Sequence, residues 1–166
     1  DGEIKTIKRM TLAEVVDDWD YYSYNVDFLY VRSDANPSTR AAEIKASPNI
    51  GALISQDQST AWRDLHVTGS GGHGASLGAT HCDIQWCWFD AIGGCVQGND
   101  HANPRYGNGV ESFADGTRHT VKNNLTTDCF DCALTCQGYP MVTSTDGWTT
   151  VDFSDNWIAR CAQGVE

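Results

Sequence analysis

Asn-Asn-Leu-Thr-Thr-Asp-Cys-Phe-Asp-Cys-Ala-Leu-Thr, residues 123–135, and Asp-Asn-Trp-Ile-Ala-Arg-Cys-Ala-Gln-Gly-Val-Glu, residues 155–166, follow one pattern. Setting Val121-Lys-Asn-Asn124 against Phe153-Ser-Asp-Asn156 brings Cys129 over Cys161 at an offset of 32 residues. Upstream, Ile84-Gln-Trp-Cys87 falls on Val121 to Asn124 and Gly94-Cys95 on Asp131-Cys132, at an offset of 37. A weaker fourth copy runs from Leu65-His-Val-Thr68 to Gly71-Gly-His-Gly-Ala-Ser-Leu77. Each copy holds a short stretch of alternating polarity, a polar turn with Asn or Cys, a second short stretch and a Gly-rich segment. Short period-two strands separated by turns, repeated with irregular insertions, are the signature of a β-solenoid. The expected fold is a single all-β domain: an irregular N-terminal segment over residues 1–60 and about four coils over 61–166.

The insertions Gln97 to Gly107 and Tyr139 to Trp148 fall at related places in successive copies, so their loops are expected on one side, walling a groove. In the N-terminal segment, Thr11 as N-cap with Glu14 at the capping-box position predicts a short helix. Trp19-Asp-Tyr-Tyr22, Phe28-Leu-Tyr-Val-Arg32 and Ala42-Glu-Ile-Lys45 read as strands, and Asn36-Pro37-Ser38 as a turn.

Twenty-two Asp and Glu stand against eleven Lys and Arg, a formal charge of -11. Such a surface repels phosphate backbones and anionic lipid, which argues against nucleic acid and membrane as partners, and no apolar run reaches the length of a membrane span. The start, Asp-Gly-Glu-Ile-Lys5, has no initiator Met and no charged-then-apolar leader, as in a processed or excised segment.

In a solenoid each inward side chain meets its equivalent one coil away at about 4.8 Å. Inward turn asparagines then bond the backbone and each other, which assigns Asn124 and Asn156 to structure although Asn124-Leu-Thr126 is a glycosylation sequon. Seven cysteines, an odd number, leave at least one unpaired or intermolecular if the rest form disulfides. Cys129 over Cys161 and Cys95 over Cys132 fit a ladder of buried thiols or disulfides between coils equally. Cys129-Phe-Asp-Cys132 has no second pair and no His at finger spacing, so a zinc site is not expected.

The segments Gly107-Asn-Gly-Val-Glu-Ser-Phe113, His119-Thr-Val-Lys-Asn-Asn124, Asp131-Cys-Ala-Leu-Thr-Cys-Gln-Gly138 and Phe153-Ser-Asp-Asn-Trp-Ile158 resemble the right-handed parallel β-helix proteins of the pectate-lyase-like superfamily. Trp19 to Ser38 is similar to the stretch preceding the coils in many large secreted members. The resemblance implies a right-handed parallel β-helix, carbohydrate chemistry and a secreted or cell-surface location. Because such proteins have more coils and a cap, it also implies that this chain is a piece of a longer one. An uncapped last coil is a sheet edge, so self-association through the Glu166 end is expected.

Glycoside hydrolysis needs two carboxyl groups across the scissile bond, about 5 Å apart for retention and about 6.5–9.5 Å for inversion. Aligning Gly109-Val-Glu111 with Ala133-Leu-Thr135 and Gly164-Val-Glu166, with a one-residue slip after Cys129, puts Glu111 and Glu166 two coils, about 9.6 Å, apart. Asp128 and Asp131 lie in the coil between, beside Thr135 and Gln137, which are placed to hold a sugar hydroxyl. Glu111 and Asp131 are therefore the expected acid/base pair, with Glu166 as a third carboxylate, and no metal or other cofactor is required. Polysaccharide β-elimination is the alternative. It needs a base for the proton α to a uronate, and Ca²⁺ or a basic residue for its carboxylate. His101, Arg105, Tyr106, His119 and Lys122 are the candidates, with His101, Arg105 and Tyr106 also able to line a sugar site. Gly71-Gly-His-Gly74 resembles the Gly-His-Gly stretch of polygalacturonases, but Thr-Gly-Ser precedes it where those enzymes have Asp-Asp, so His73 is read as part of a glycine-rich bend. The non-catalytic alternative is a carbohydrate-binding β-helix module. Trp86 and Trp88 have the parity opposite to Cys87 and Phe89, so they face outward if Cys87 faces inward. Two residues apart on a strand, about 6.7 Å, they would form a platform for a polysaccharide or oligosaccharide.

Overall fold

The computed structural model describes residues 7–8, 12–23, 29–40, 50–55, 59–78, 80–96, 105–113, 118–137 and 150–166. Among these the chain is mostly strand. It divides into two units, residues 1–46 with 98–104 and residues 47–97 with 105–166.

In the first unit β1 (Ile7–Lys8) runs parallel to β2 (Asp20–Ser23), and β2 antiparallel to β3 (Leu29–Val31). The helix expected after Thr11 is reduced to a 3-10 turn at Leu12–Glu14. Asp20 Oδ2 accepts the Val16 and Asp17 amides at 3.2 and 2.9 Å, so the next N–H groups go to a side chain instead of continuing a helix. After Asn36 the chain makes one helical turn, α1 (Pro37–Arg40), with proline at its first position, where no N–H is needed. Arg40 forks onto both oxygens of Asp18 and lies 5.0 Å over the Trp19 ring. The strand expected at Ala42 to Lys45 lies outside the described residues.

The second unit opens with β4 (Leu53–Ser55) and then passes through three parallel sheets in constant order. The first circuit is β5 (Thr60–Arg63), β6 (His66–Thr68) and β7 (Ala75–Leu77). The second is β8 (His81–Gln85), β9 (Trp88–Ile92) and, after the short antiparallel pair β10 (Cys95–Val96) and β11 (Arg105–Tyr106), β12 (Val110–Phe113). The third is β13 (Arg118–Lys122), β14 (Leu125–Cys129) and β15 (Cys132–Gln137), and the fourth is β16 (Thr150–Ser154), β17 (Trp157–Ala159) and β18 (Gln163–Val165). The first sheet is β5-β8-β13-β16, the second β6-β9-β14-β17 and the third β4-β7-β12-β15-β18.

Side chains alternate along each strand, and the inward ones form columns. Ile84 pairs in register with Val121 and Val121 with Phe153; Phe89 pairs with Thr126; Ala75 pairs with Val110 and Val110 with Leu134. Phe89, Ile84, Val121, Val110 and Leu134 are all buried in one core, each such side chain worth about 1.5–3 kcal/mol of burial. The chain bends between sheets at residues in the left-handed region, which fall in two columns. Asp64, Trp86, Asn123 and Asp155 mark the corner between the first and second sheets, and Gly69, Ala91, Asp128 and Arg160 the end of the second. Asn and Asp tolerate this conformation; a bulky Trp does so only under strain.

The asparagine ladder forms as the pattern at residue 124 leads one to expect. Asn124 Oδ1 accepts the Cys87 amide at 2.9 Å and its Nδ2 donates to the Ile84 carbonyl at 3.1 Å. One circuit later Asn156 accepts from the Asn124 amide at 3.0 Å and donates to the Val121 carbonyl at 2.7 Å. Asn124 is 2% exposed, so its sequon offers no glycan site.

Two expectations from the sequence are corrected. Cys132 does not stack on Cys95, which pairs with Tyr106 in β10–β11; its amide instead donates to Asn108 Oδ1 at 3.2 Å. After Ile92 the chain leaves the circuit at Gly93, whose φ is +92° and whose added Cβ would lie 2.7 Å from the Gly107 Cα, and it rejoins at Asn108. Trp86 and Trp88 are not a pair along one strand, because Trp86 occupies the left-handed corner before β9. None of the seven cysteines is joined in a disulfide.

Candidate active site

Ile54, Ser76, Glu111 and Thr135 occupy one outward column of the third sheet, in register across β4, β7, β12 and β15. Leu134 pairs with Val165, which brings Glu166 to the strand beyond Thr135. Glu111 and Glu166 thus lie two strands apart, as the aligned segments require.

Although it faces outward, Glu111 is only 6% exposed. Burial pushes its carboxyl from an ordinary value near 4.5 up to about 7, against the Ser76 hydroxyl bonded to it, and the Asp131 charge adds to the rise. Asp131 is itself raised by burial and by Glu166. The three carboxyl groups singled out in the sequence therefore interact, although Asp131 precedes β15 and lies off the column of Glu111.

His73 supplies what the sequence pattern did not assign. Its Nε2 is 3.2 Å from Glu111 Oε2, and its Nδ1 accepts the Asn108 amide at 3.1 Å. With Nδ1 committed as an acceptor, the neutral ring carries its proton on Nε2 and donates it to Glu111. Burial lowers His73 to about 4, so the ring is neutral across the physiological range. The glycines around it have a steric reason: a Cβ on Gly74 would sit 2.5 Å from the Gly109 carbonyl oxygen and 2.8 Å from the Phe89 ring. Only glycine lets this bend lie on the core and the next strand, with the Gly74 amide donating to the Asn108 carbonyl at 2.9 Å. The signal in the sequence was Gly71-Gly-His-Gly74, and its partner Glu111 lay too far along the chain to be paired with it.

Tyr106 packs edge-on against His73, ring centroids 4.8 Å apart, and burial followed by the charges of Cys95 and Glu111 raises its phenol. Arg105, its neighbour in β11, lies 5.6 Å over the Phe130 ring. Gln137 Nε2 donates to Glu166 Oε2 at 2.6 Å. Thr135 is fully buried, and its hydroxyl has no hydrogen-bond partner among the described residues.

The basic cluster proposed for β-elimination is not gathered here. Lys122 lies on the first sheet, paired with Asp152 at 2.6 Å. His119 points into the core, in register with buried Cys82 and 2.6 Å from Ser112 Oγ through Nδ1, since an inward strand position admits a histidine only with such a partner. His101, like most of the Gln97 to Gly107 loop and all of Tyr139 to Trp148, lies outside the described residues. Among the described residues no group of three or more His, Cys, Asp and Glu is placed to hold a metal ion, and no helix is long and apolar enough to cross a membrane. No family model, curated protein or solved structure matches the chain.

Proposed function

We infer that the three parallel sheets are the walls of a right-handed parallel β-helix and that the second unit belongs to a carbohydrate-active protein, a glycoside hydrolase acting on a polysaccharide. Right-handedness is supported by general chirality, since about 98% of crossovers between parallel strands of one sheet take that hand. The observation that carries the activity is a buried carboxyl, Glu111, raised to about 7 and bonded by the His73 ring, within reach of the charge of Asp131, which is itself raised by burial and by Glu166. A carboxyl raised to about 7 still holds its proton near neutral pH and can give it to a leaving group, while a second carboxyl serves as the base.

Glu111 is the proton donor to the glycosidic oxygen. His73 Nε2–H holds Oε2 as an acceptor, leaving the other oxygen to carry the proton, and the same bond stabilises the carboxylate once the proton has gone. Asp131 is the base that activates water, its basicity raised by burial and by the Glu166 charge. The Tyr106 phenol, packed against His73, is the group for a sugar hydroxyl. No cofactor is needed for these steps.

The test is incubation with a panel of polysaccharides, reading new reducing ends together with ultraviolet absorbance of unsaturated uronates. Hydrolysis yields reducing ends without absorbance, a rate that falls as pH rises above about 7, and a loss of about 100-fold or more in Glu111→Gln. Absorbance rising with the reducing ends, or full activity in Glu111→Gln, refutes the assignment.

A further inference from the structure

The second sheet carries an outward column with no part in the site around Glu111. His66 pairs in register with Trp88, Trp88 with Leu125, and Leu125 with Trp157. Trp88 is 40% exposed, Leu125 37% and Trp157 77%, while Phe89 and Thr126, which follow the first two, are fully buried. Isolated exposed apolar side chains are ordinary, but a contiguous column of large ones across adjacent strands marks a contact surface.

Trp88 is also held in place. Its ring stacks on His66 with centroids 4.0 Å apart and planes within 6°. Its Nε1–H donates to Thr127 Oγ1 at 3.0 Å, and the Thr127 hydroxyl donates to Asp90 Oδ1 at 2.8 Å. Asp90 Oδ2 in turn lies 3.9 Å from His66 Nε2. An exposed indole fixed by a stack on one side and a two-step hydrogen-bond relay on the other has little rotamer freedom left to lose when a ligand arrives. Trp88 and Trp157 are separated by the single strand of Leu125, about 9.6 Å at the parallel-strand spacing. That leaves room for one saturated ring laid over Leu125 and flanked by the two indoles.

We propose that the outward face of the second sheet binds a neutral glycan chain, its pyranose rings seated on Trp88, Leu125 and Trp157. Indole faces offer apolar surface to the C–H face of a pyranose, while the free oxygen capacity of Asp90 meets its hydroxyls. Charge selects a neutral chain: the total is -11, Asp90 lies on this face, and the nearby Asp128 is already matched by Arg160 at 2.6 Å, so a uronate polymer would meet repulsion with no spare cation among the described residues of this face. This proposal rests on the carbohydrate-active reading of the protein, but it concerns a sheet other than the one bearing Glu111.

The test measures binding of cellohexaose, mannohexaose and xylohexaose, with oligogalacturonate as the charged control, by calorimetry and tryptophan fluorescence. The variants are Trp157→Ala, Trp88→Ala and Glu111→Gln. Trp157 is the safest probe because its side chain is largely in solvent. At least one neutral hexaose binds the wild-type chain and Glu111→Gln alike, quenches fluorescence, and binds at least tenfold more weakly to Trp157→Ala. No binding of any neutral hexaose, or wild-type affinity in both tryptophan variants, overturns the proposal. So does preferential binding of oligogalacturonate. A dimer that Trp157→Ala dissolves, with no sugar effect, overturns it in favour of a second copy of the chain as occupant. Tryptophan-dependent binding without cleavage upholds this face and removes the hydrolase, whereas Glu111-dependent cleavage without tryptophan-dependent binding does the reverse.

Discussion

Replacing Glu111 by Gln removes a group that should make stability depend on pH in a direction unusual for a carboxylate. In the folded chain its carboxyl is raised to about 7 from an ordinary value near 4.5. Between these values the folded state holds a proton that the unfolded chain has released. The stability that protonation confers is therefore complete below about 4.5 and is lost as pH rises through about 7. At about 1.4 kcal/mol per pH unit, the loss over that interval is about 3 kcal/mol. His73 works in the opposite sense: lowered to about 4, it contributes stability that is present above its ordinary value near 6.5 and lost as pH falls toward about 4. In the wild-type chain the two nearly cancel between pH 4.5 and 6.5. The measurement is urea unfolding followed by tryptophan fluorescence at half-unit steps from pH 4.5 to 8, with Glu111→Gln and wild type side by side. The stability of the variant relative to wild type rises by about 3 kcal/mol from pH 4.5 to 7 and is flat beyond about 7.5. A relative stability that does not change with pH, or that falls, would refute both the raised carboxyl and its assignment as the proton donor.

Asn124→Ala strips the buried Cys87 amide and Ile84 carbonyl of their partners and costs about 3 kcal/mol in chemical unfolding, whereas removal of an exposed asparagine would cost almost nothing. Trp86→Asn relieves a bulky residue at φ +59° and raises stability by about 1 kcal/mol in the same assay. Gly74→Ala drives a methyl group into the Gly109 carbonyl and the Phe89 ring, so the variant unfolds at lower denaturant and loses the environment of His73, seen as a His73 pKa moving back toward 6.5 by NMR. Without reductant, thiol titration of the denatured chain counts seven thiols, while the native chain reacts slowly at the buried Cys82, Cys87, Cys129 and Cys132.

Much of the second unit was legible in the sequence because a parallel stack imposes its period on the chain. The offset joining Ile84 to Val121 and Val121 to Phe153 became strand register, and the recurring asparagine became the ladder at Asn124 and Asn156. The parity of Trp88 against Cys87 and Phe89 also held, with the former exposed and the latter two buried. The alignment failed where an insertion interrupts the stack, at Cys95, since a hairpin has no equivalent in the neighbouring circuits. At Trp86 the alignment with Asn123 held, but the reading of Trp86 and Trp88 along one strand did not, because Trp86 is a left-handed corner before β9. In the first unit the capping pattern at Thr11 was overridden because Asp20 captures the amides that would have continued the helix.

The sequence by itself determined which positions stack, since equivalent residues of successive segments must meet across one strand spacing; this placed Glu111, Thr135 and Glu166 along one face. Only the tertiary structure decided that His73 meets Glu111, because the strand register sets Ser76 opposite Glu111 and the His73 side chain reaches it from the bend three residues earlier. The same holds for burial of an outward carboxyl and for the His66, Thr127 and Asp90 contacts that hold Trp88. These properties depend on what lies beside a residue on neighbouring strands, which the periodicity of the chain does not encode.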